Sequence, residues 1–237
     1  MYSMLAEFYD DLMDVDYMAF LEYYKTTWEK YGTNPEIVLD LACGTGNMTV
    51  LYEANYDVIG IDISPEMLSK AREKVKPETL LLCMDMRKLD LFGTIDACCC
   101  TLDGMGSMQK EEDFLAVLSK VNLFLSPLGI FIFDIISPQK FKEELDGASF
   151  FYDTDKVACI WQNSVIDNVC HFKLTYFEPK KNGSYTRIDE EMSERIWEIY
   201  EVKSLIASSQ MELLEVQSGN GRIFFVCRKG GNTGNWK

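Results

Sequence analysis

Ten consecutive residues constrain this chain more than any others: Val38-Leu39-Asp40-Leu41-Ala42-Cys43-Gly44-Thr45-Gly46-Asn47, an apolar strand running into a glycine-rich turn and then into a helix. Gly44 and Gly46 can take positive φ and let the backbone approach a ligand, while the helix beyond them offers unpaired N–H groups and the positive end of its dipole. A cofactor is expected there. The dinucleotide fingerprint would place a third glycine where Thr49 stands, which weakens a nicotinamide or flavin reading.

The surrounding pattern sets the fold class. From residue 36 to 136, short apolar runs (37–41, 58–61, 80–83, 95–101 and 129–133) alternate with helical stretches (47–53, 66–75 and 111–124). Such alternation predicts βαβ units and an α/β, doubly wound, mostly parallel sheet with helices on both faces. Ser64, Pro65 and Glu66 supply a cap, a first-turn proline and a dipole-matched acid, so the strand before them ends near Asp62.

The flanks have a different character. Tyr17, Phe20, Leu21, Tyr24 and Trp28 fall at helical spacing, so residues 1–34 are expected to form a helical lid. After Ser137 come long polar-aromatic strand segments, 157–162, 169–178 and 185–197, with Asn182-Gly183 as a hairpin signal. These predict a small antiparallel β insertion over 148–197, serving as a substrate cover or a dimer face. A helix near 201–208 and two strands joined through Gly219-Asn220-Gly221 return the chain to the main domain, assigned to 35–147 and 198–229, with 230–237 as a flexible tail.

Charge narrows the partners. With 38 acidic against 23 basic side chains the net charge is −15, which repels phosphate backbones and anionic lipid headgroups, so neither nucleic acid nor membrane is expected. No apolar run is long enough to span a bilayer, and residues 1–10 lack the order of a signal peptide, which points to the cytoplasm. Eight cysteines without a C-x-x-C pair, and a single histidine, predict buried apolar thiols and no metal site. Cys98, Cys99 and Cys100 alternate across a strand and cannot jointly clasp an ion.

Acids recur at the strand ends. Asp62 closes the second strand, where this fold places a carboxylate to accept from ribose hydroxyls, and Asp85-Met86 follows the third. With Asp40-Leu41-Ala42-Cys43-Gly44-Thr45-Gly46 and the stretch from Gly60 to Leu68, these motifs resemble class I S-adenosylmethionine-dependent methyltransferases over residues 36–136. The resemblance implies S-adenosyl-L-methionine as cofactor and a seven-stranded sheet of order 3-2-1-4-5-7-6 with strand 7 antiparallel. It implies that Asp40 orients the methionine amino group, that Ala42, Gly44 and Gly46 let the backbone pass the cofactor, and that Asp62 and Ile63 hold the ribose side. Asp85 and Met86 would frame adenine, and Met67 and Leu102 would complete the pocket.

Less specifically, Phe8-Tyr9-Asp10, Asp14-Val15-Asp16-Tyr17 and the stretch from Phe131 to Ser137 resemble small bacterial methyltransferases with a helical lid and an antiparallel insertion. A histidine frequent in that insertion's last strand is replaced here by Met192. Tyr9 and Tyr17 are the aromatics expected over the cofactor or acceptor, core packing being the plainer account. Methyl transfer needs alignment of the reactants more than a base. If a base acts, Asp103 at the end of the fourth strand leads, followed by Asp134, His171 and Glu191. The expected acceptor is a small molecule. A protein that binds S-adenosylmethionine without turnover, another adenosyl-cofactor transferase and a dinucleotide oxidoreductase stay open as alternatives.

Overall fold

The computed structural model describes residues 3–231. In chain order the helices are α1 (Ser3–Leu12), α2 (Tyr17–Lys30), α3 (Asn47–Tyr52), α4 (Pro65–Lys74), α5 (Glu111–Phe124), α6 (Pro138–Lys140) and α7 (Ile199–Ser208). One sheet is built from β1 (Ile37–Leu41), β2 (Asp57–Asp62), β3 (Leu80–Cys83), β4 (Ile95–Cys100), β5 (Leu125–Ile136), β10 (Glu212–Gly219) and β11 (Arg222–Arg228). A second contains β6 (Ser149–Asp153), β7 (Ala158–Ile166), β8 (Val169–Pro179) and β9 (Tyr185–Arg195).

The seven-stranded sheet has the order β10-β11-β5-β4-β1-β2-β3, with β11 antiparallel to both neighbours and the pairs from β5 to β3 parallel. The strands read as near-continuous apolar runs because both faces are covered. Cys98, Cys100, Phe131, Phe133 and Phe225 pack beneath Phe114, Val117 and Leu118 of α5 and Val202 and Ile206 of α7. Ala97, Cys99, Ile130, Ile132 and Val226 face Leu21, Tyr24 and Trp28 of α2 and Met48 and Tyr52 of α3. Neighbouring cysteines thus serve opposite cores, and burial pushes the thiols of Cys98, Cys99 and Cys100 up. Cys83 departs from the expectation of buried thiols: it is exposed at the end of β3.

The four-stranded sheet is antiparallel in the order β6-β7-β8-β9, one strand more than the sequence pattern announces. Its inner face, with Phe172, Leu174 and Tyr176, packs against Leu5, Ala6, Phe8 and Leu12 of α1. This corrects the expectation of a single lid over residues 1–34. α2 belongs to the main domain because its apolar face is buried on the large sheet, and α1 alone joins the insertion. Of the tail expected over 230–237, residues 232–237 lie outside the described residues. No helix among the described residues is long and apolar enough to cross a membrane.

Gly46, the residue before α3, has φ +80°, and a Cβ there would lie 2.9 Å from Ala71 Cβ and 3.1 Å from Ala71 Cα on α4. Neither neighbour can rotate away. Gly46→Ala is therefore expected to cost about 2–4 kcal/mol, combining left-handed strain with overpacking, read as a lower urea midpoint. Gly44, at φ +54°, has nothing within 4 Å of the same position, so Gly44→Ala should lose only the backbone contribution, about 1–2 kcal/mol.

Candidate active site

In a doubly wound sheet the chain leaves adjacent strands in opposite directions at one point, and the crevice there receives the ligand. Here that point lies between the carboxyl ends of β1 and β4, since β1 continues toward β2 and β4 toward β5. Positive φ clusters on both rims: Ala42 (58°), Gly44 and Gly46 after β1, Leu102 (60°) and Asp103 (67°) after β4. Left-handed conformations at non-glycine residues are costly and persist where surroundings hold them. On the first rim the Cys43 N–H donates to Ile61 O and the Gly46 N–H to Cys43 O, each at 2.9 Å. On the second, the Leu102 N–H donates to Asp134 Oδ1 at 2.9 Å, and Asp103 Oδ1 accepts the Ile136 N–H at 3.1 Å.

Two carboxyls line the first rim. Asp40, buried, accepts from the Thr49 hydroxyl at 2.6 Å; burial, with the nearby Asp62 charge adding, raises its pKa to about 7. Asp62 accepts the Gly44 N–H at 2.9 Å and the Ser64 N–H at 2.8 Å, so it joins the glycine turn to the start of α4. Burial pushes its carboxyl up while those N–H groups pull it down. Ile63 beside it is exposed.

The third expected acid is already engaged. Asp85 takes Arg87 Nε at 2.9 Å and Nη2 at 2.7 Å, and Arg87 reaches Asp113 at 3.2 Å. The guanidinium holds the Asp85 carboxyl below its ordinary range. Met86 is buried in the core under α5, and Met67 in the cluster shared by α1 and the small sheet.

α1 closes over the glycine turn. Asp10 accepts from the Thr45 hydroxyl and the Asn47 amide, both at 2.8 Å, and pairs with Lys74. Tyr17 lies beside Asn47 and Tyr9, and burial raises the pKa of both phenols. At the other end of α1, Glu190 of β9 accepts the Met4 and Leu5 N–H groups at 2.9 and 3.0 Å, capping a helix N-terminus from across the structure. Glu190→Ala should remove about 0.5–2 kcal/mol from the attachment of α1, seen as faster amide exchange in residues 4–12 with the large sheet unaffected.

The second rim carries four titratable groups. Asp134 is fully buried and ion-paired with Arg222; the register sets Asp134 opposite Phe224, which leaves Arg222 two residues along on the same face. Asp103 and Glu194 of β9 lie beside one another, and no N–H or O–H of the described residues donates to the buried Asp103 Oδ2 or Glu194 Oε2. Burial, reinforced by the Glu194 charge, raises the Asp103 pKa well above the carboxylate range. Burial raises the Glu194 carboxyl too, while the Arg222 charge pulls both down.

The other base candidates separate by exposure. His171 and Glu191 point to solvent, on the outer face of the small sheet. Asp134 is consumed by Arg222. Glu194 and Arg222 were not singled out by sequence reasoning; the one signal for Glu194 is its period-two relation to Met192 and Glu190 along β9. Among the described residues, no three His, Cys, Asp or Glu side chains converge as metal ligands.

A seven-stranded sheet with one antiparallel strand, a glycine turn at its switch point and acids at successive strand ends defines a Rossmann-like cofactor-binding domain. Residues 38–129 match the family described as "Methyltransferase domain". YqeM of Bacillus subtilis (strain 168), designated a methyltransferase, is 29% identical over 250 residues, covering 96% of this chain and 97% of its own. The crystal structure of an S-adenosylmethionine-dependent methyltransferase from Clostridium acetobutylicum ATCC 824 is 29% identical and superposes with TM-score 0.85 over 97% of this chain and 99% of that one. S-adenosylmethionine-bound CalS10, an amino pentose methyltransferase from Micromonospora echinaspora, shares the fold at 19% identity, TM-score 0.80, over 97% and 98% of the two chains. The chain is a class I, Rossmann-like S-adenosylmethionine-dependent methyltransferase.

Proposed function

We propose that the chain methylates a small molecule held between the switch-point crevice, α1 and the inner face of the four-stranded sheet. The observation that carries this reading is the paired rims: residues strained into positive φ after both β1 and β4, with α1 tied to the first of them by Asp10. S-adenosylmethionine supplies an electrophilic methyl group on a sulfonium. Asp40 faces the crevice as a partner for the cofactor's amino group, and Asp62 retains lone pairs for ribose hydroxyls beyond the two N–H groups it holds. Gly44 leaves open the space that a side chain would fill. Asp85, with its carboxylate turned to Arg87, offers adenine its main-chain neighbourhood rather than a free acid, and Ile63 and Met86 flank that side.

Tyr9 and Tyr17 join the two halves, since Tyr17 is near Asp40 while Tyr9 is near Glu194 and Arg222. Leu102 and Asp103 form the floor between them. α1 and the small sheet act as the cover that excludes water from the transfer, a division into domain and cover that follows their shared core. A small-molecule acceptor is in keeping with the fold neighbours CalS10 and KedS8, the latter named a sugar N-methyltransferase.

Isothermal titration with S-adenosylmethionine and S-adenosylhomocysteine tests the site. Saturable binding of both is expected, and loss of binding in Gly44→Ala while the variant stays folded, with only the loss of about 1–2 kcal/mol expected for its backbone, would locate it at the glycine turn. A folded protein that bound neither would refute the assignment. Binding without turnover on any acceptor would favour the non-catalytic alternative.

A further inference from the structure

We propose that the cavity between the start of α6, the first turn of α7 and the β10–β11 hairpin is a binding site for a phosphate monoester with a flat, apolar body. The site is separate from the crevice between β1 and β4, and the inference does not depend on what that crevice holds. The cavity measures about 730 Å3, inside the range of roughly 300–1,000 Å3 found for small-molecule sites. Pro138, Ile199 and Ile223 give it an apolar lining. Tyr200, on the first turn of α7, also lines it and is 72% exposed, so its ring adds little to the core and offers a face on which a second ring can stack.

The local charge is opposite in sign to that of the chain, whose net charge is −15. Glu198 is the acidic residue of the lining, and Lys142 pairs with it at 3.0 Å. Arg222, also in the lining, is paired with Asp134. Two cations are left over. Lys203 lines the cavity, and Lys140 lies across Gly221 with Nζ 3.3 Å from the point a Cβ would occupy there. Gly221, at φ +71°, has no side chain to displace the lysine stem, so the hairpin holds the Lys140 ammonium beside the lining. Among the described residues neither ammonium has a carboxylate partner.

Hydrogen-bond donors accompany the charge. Arg222 gives Nη1 to Asp134, while among the described residues its Nε and Nη2 have no acceptor and are not buried. A phosphate monoester carries a charge of about −1.5 to −2 at pH 7 and three strong acceptor oxygens. That charge answers two ammonium groups, and the oxygens suit the remaining fork of the guanidinium. A carboxylate would answer only one of the two cations, and a cationic ligand would be repelled. The same Arg222 holds Asp134, whose Oδ1 accepts the Leu102 N–H, so the cavity and the second rim share one guanidinium.

The test uses the full chain and the probes phenyl phosphate, inorganic phosphate and phenol, titrated at low salt and followed by amide NMR. Phenyl phosphate is expected to bind saturably, about tenfold or more tightly than either of the others, and to shift the amides of Tyr200 and of residues 218–223. Lys203→Gln and Lys140→Gln should each weaken it about three- to tenfold, and added salt should weaken it further. Lys180→Gln, the same change of charge at the β8–β9 hairpin, should leave it unchanged. Absence of saturable binding, equal affinity for phenol, or shifts confined to residues 42–46 and 102–103 would each overturn the proposal. It would also be overturned if inorganic phosphate bound as tightly as the ester, or if Lys180→Gln weakened binding as much as Lys203→Gln.

Discussion

Arg222→Leu should destabilise the fold by about 3–5 kcal/mol at pH 8, because it leaves Asp134 buried with no opposite charge. The leucine restores apolar volume but cannot satisfy the carboxylate. The Leu102 N–H remains on Asp134, so the loop after β4 should keep its shape while the global midpoint in urea falls. Burial already raises the Asp134 pKa, and the variant raises it further. A carboxyl with a folded pKa above its unfolded value binds more protons when native, so its stability contribution is full below about pH 3.9 and declines as pH rises through the folded value. The gap between variant and wild type should therefore narrow from pH 8 to pH 5.5. A gap that is constant or widens on acidification would show that the ion pair is not the source of the loss.

Asp62→Ala should weaken S-adenosylmethionine binding about ten- to a hundredfold, the equivalent of roughly 1.5–3 kcal/mol of charge-assisted hydrogen bonding. The structure adds a second route to the same result. Asp62 holds the Gly44 and Ser64 N–H groups, so its removal also frees the glycine turn that the cofactor must pass. Titration of S-adenosylhomocysteine separates these contributions from the methyl group, since both ligands carry the same ribose. An unchanged dissociation constant for either would remove Asp62 from the ribose site.

Asp40, Gly44, Gly46 and Asp62 were legible because each depends on its own neighbours: an apolar run ending in an acid, a turn that needs positive φ, a capped helix start. Asp85 shows where that legibility ends. Its position at the end of β3 follows from the pattern, yet its carboxylate turns to Arg87, two residues on, and to the Asp113 side of α5 through it. Met192 stands where a histidine is frequent in similar proteins, while the residue of β9 beside Asp103 is Glu194, one pleat further along. The extent of the lid is hard to read for a related reason: α2 is amphipathic, but amphipathicity does not say which of two sheets receives its apolar face.

The sequence by itself determined the α/β alternation, the glycine turn and the row of strand-end acids, because hydrophobic period, turn chemistry and capping are written within a few residues of where they act. Only the tertiary structure decided which charges meet. Asp134 and Arg222 stand 88 residues apart, and Met4 and Glu190 stand 186 apart. Asp103 lies in the loop after β4 of one sheet and Glu194 on β9 of the other, and their encounter is set by how the insertion packs against that loop. A carboxyl's proton affinity depends on burial and on neighbouring charge, and both are properties of that assembled crevice.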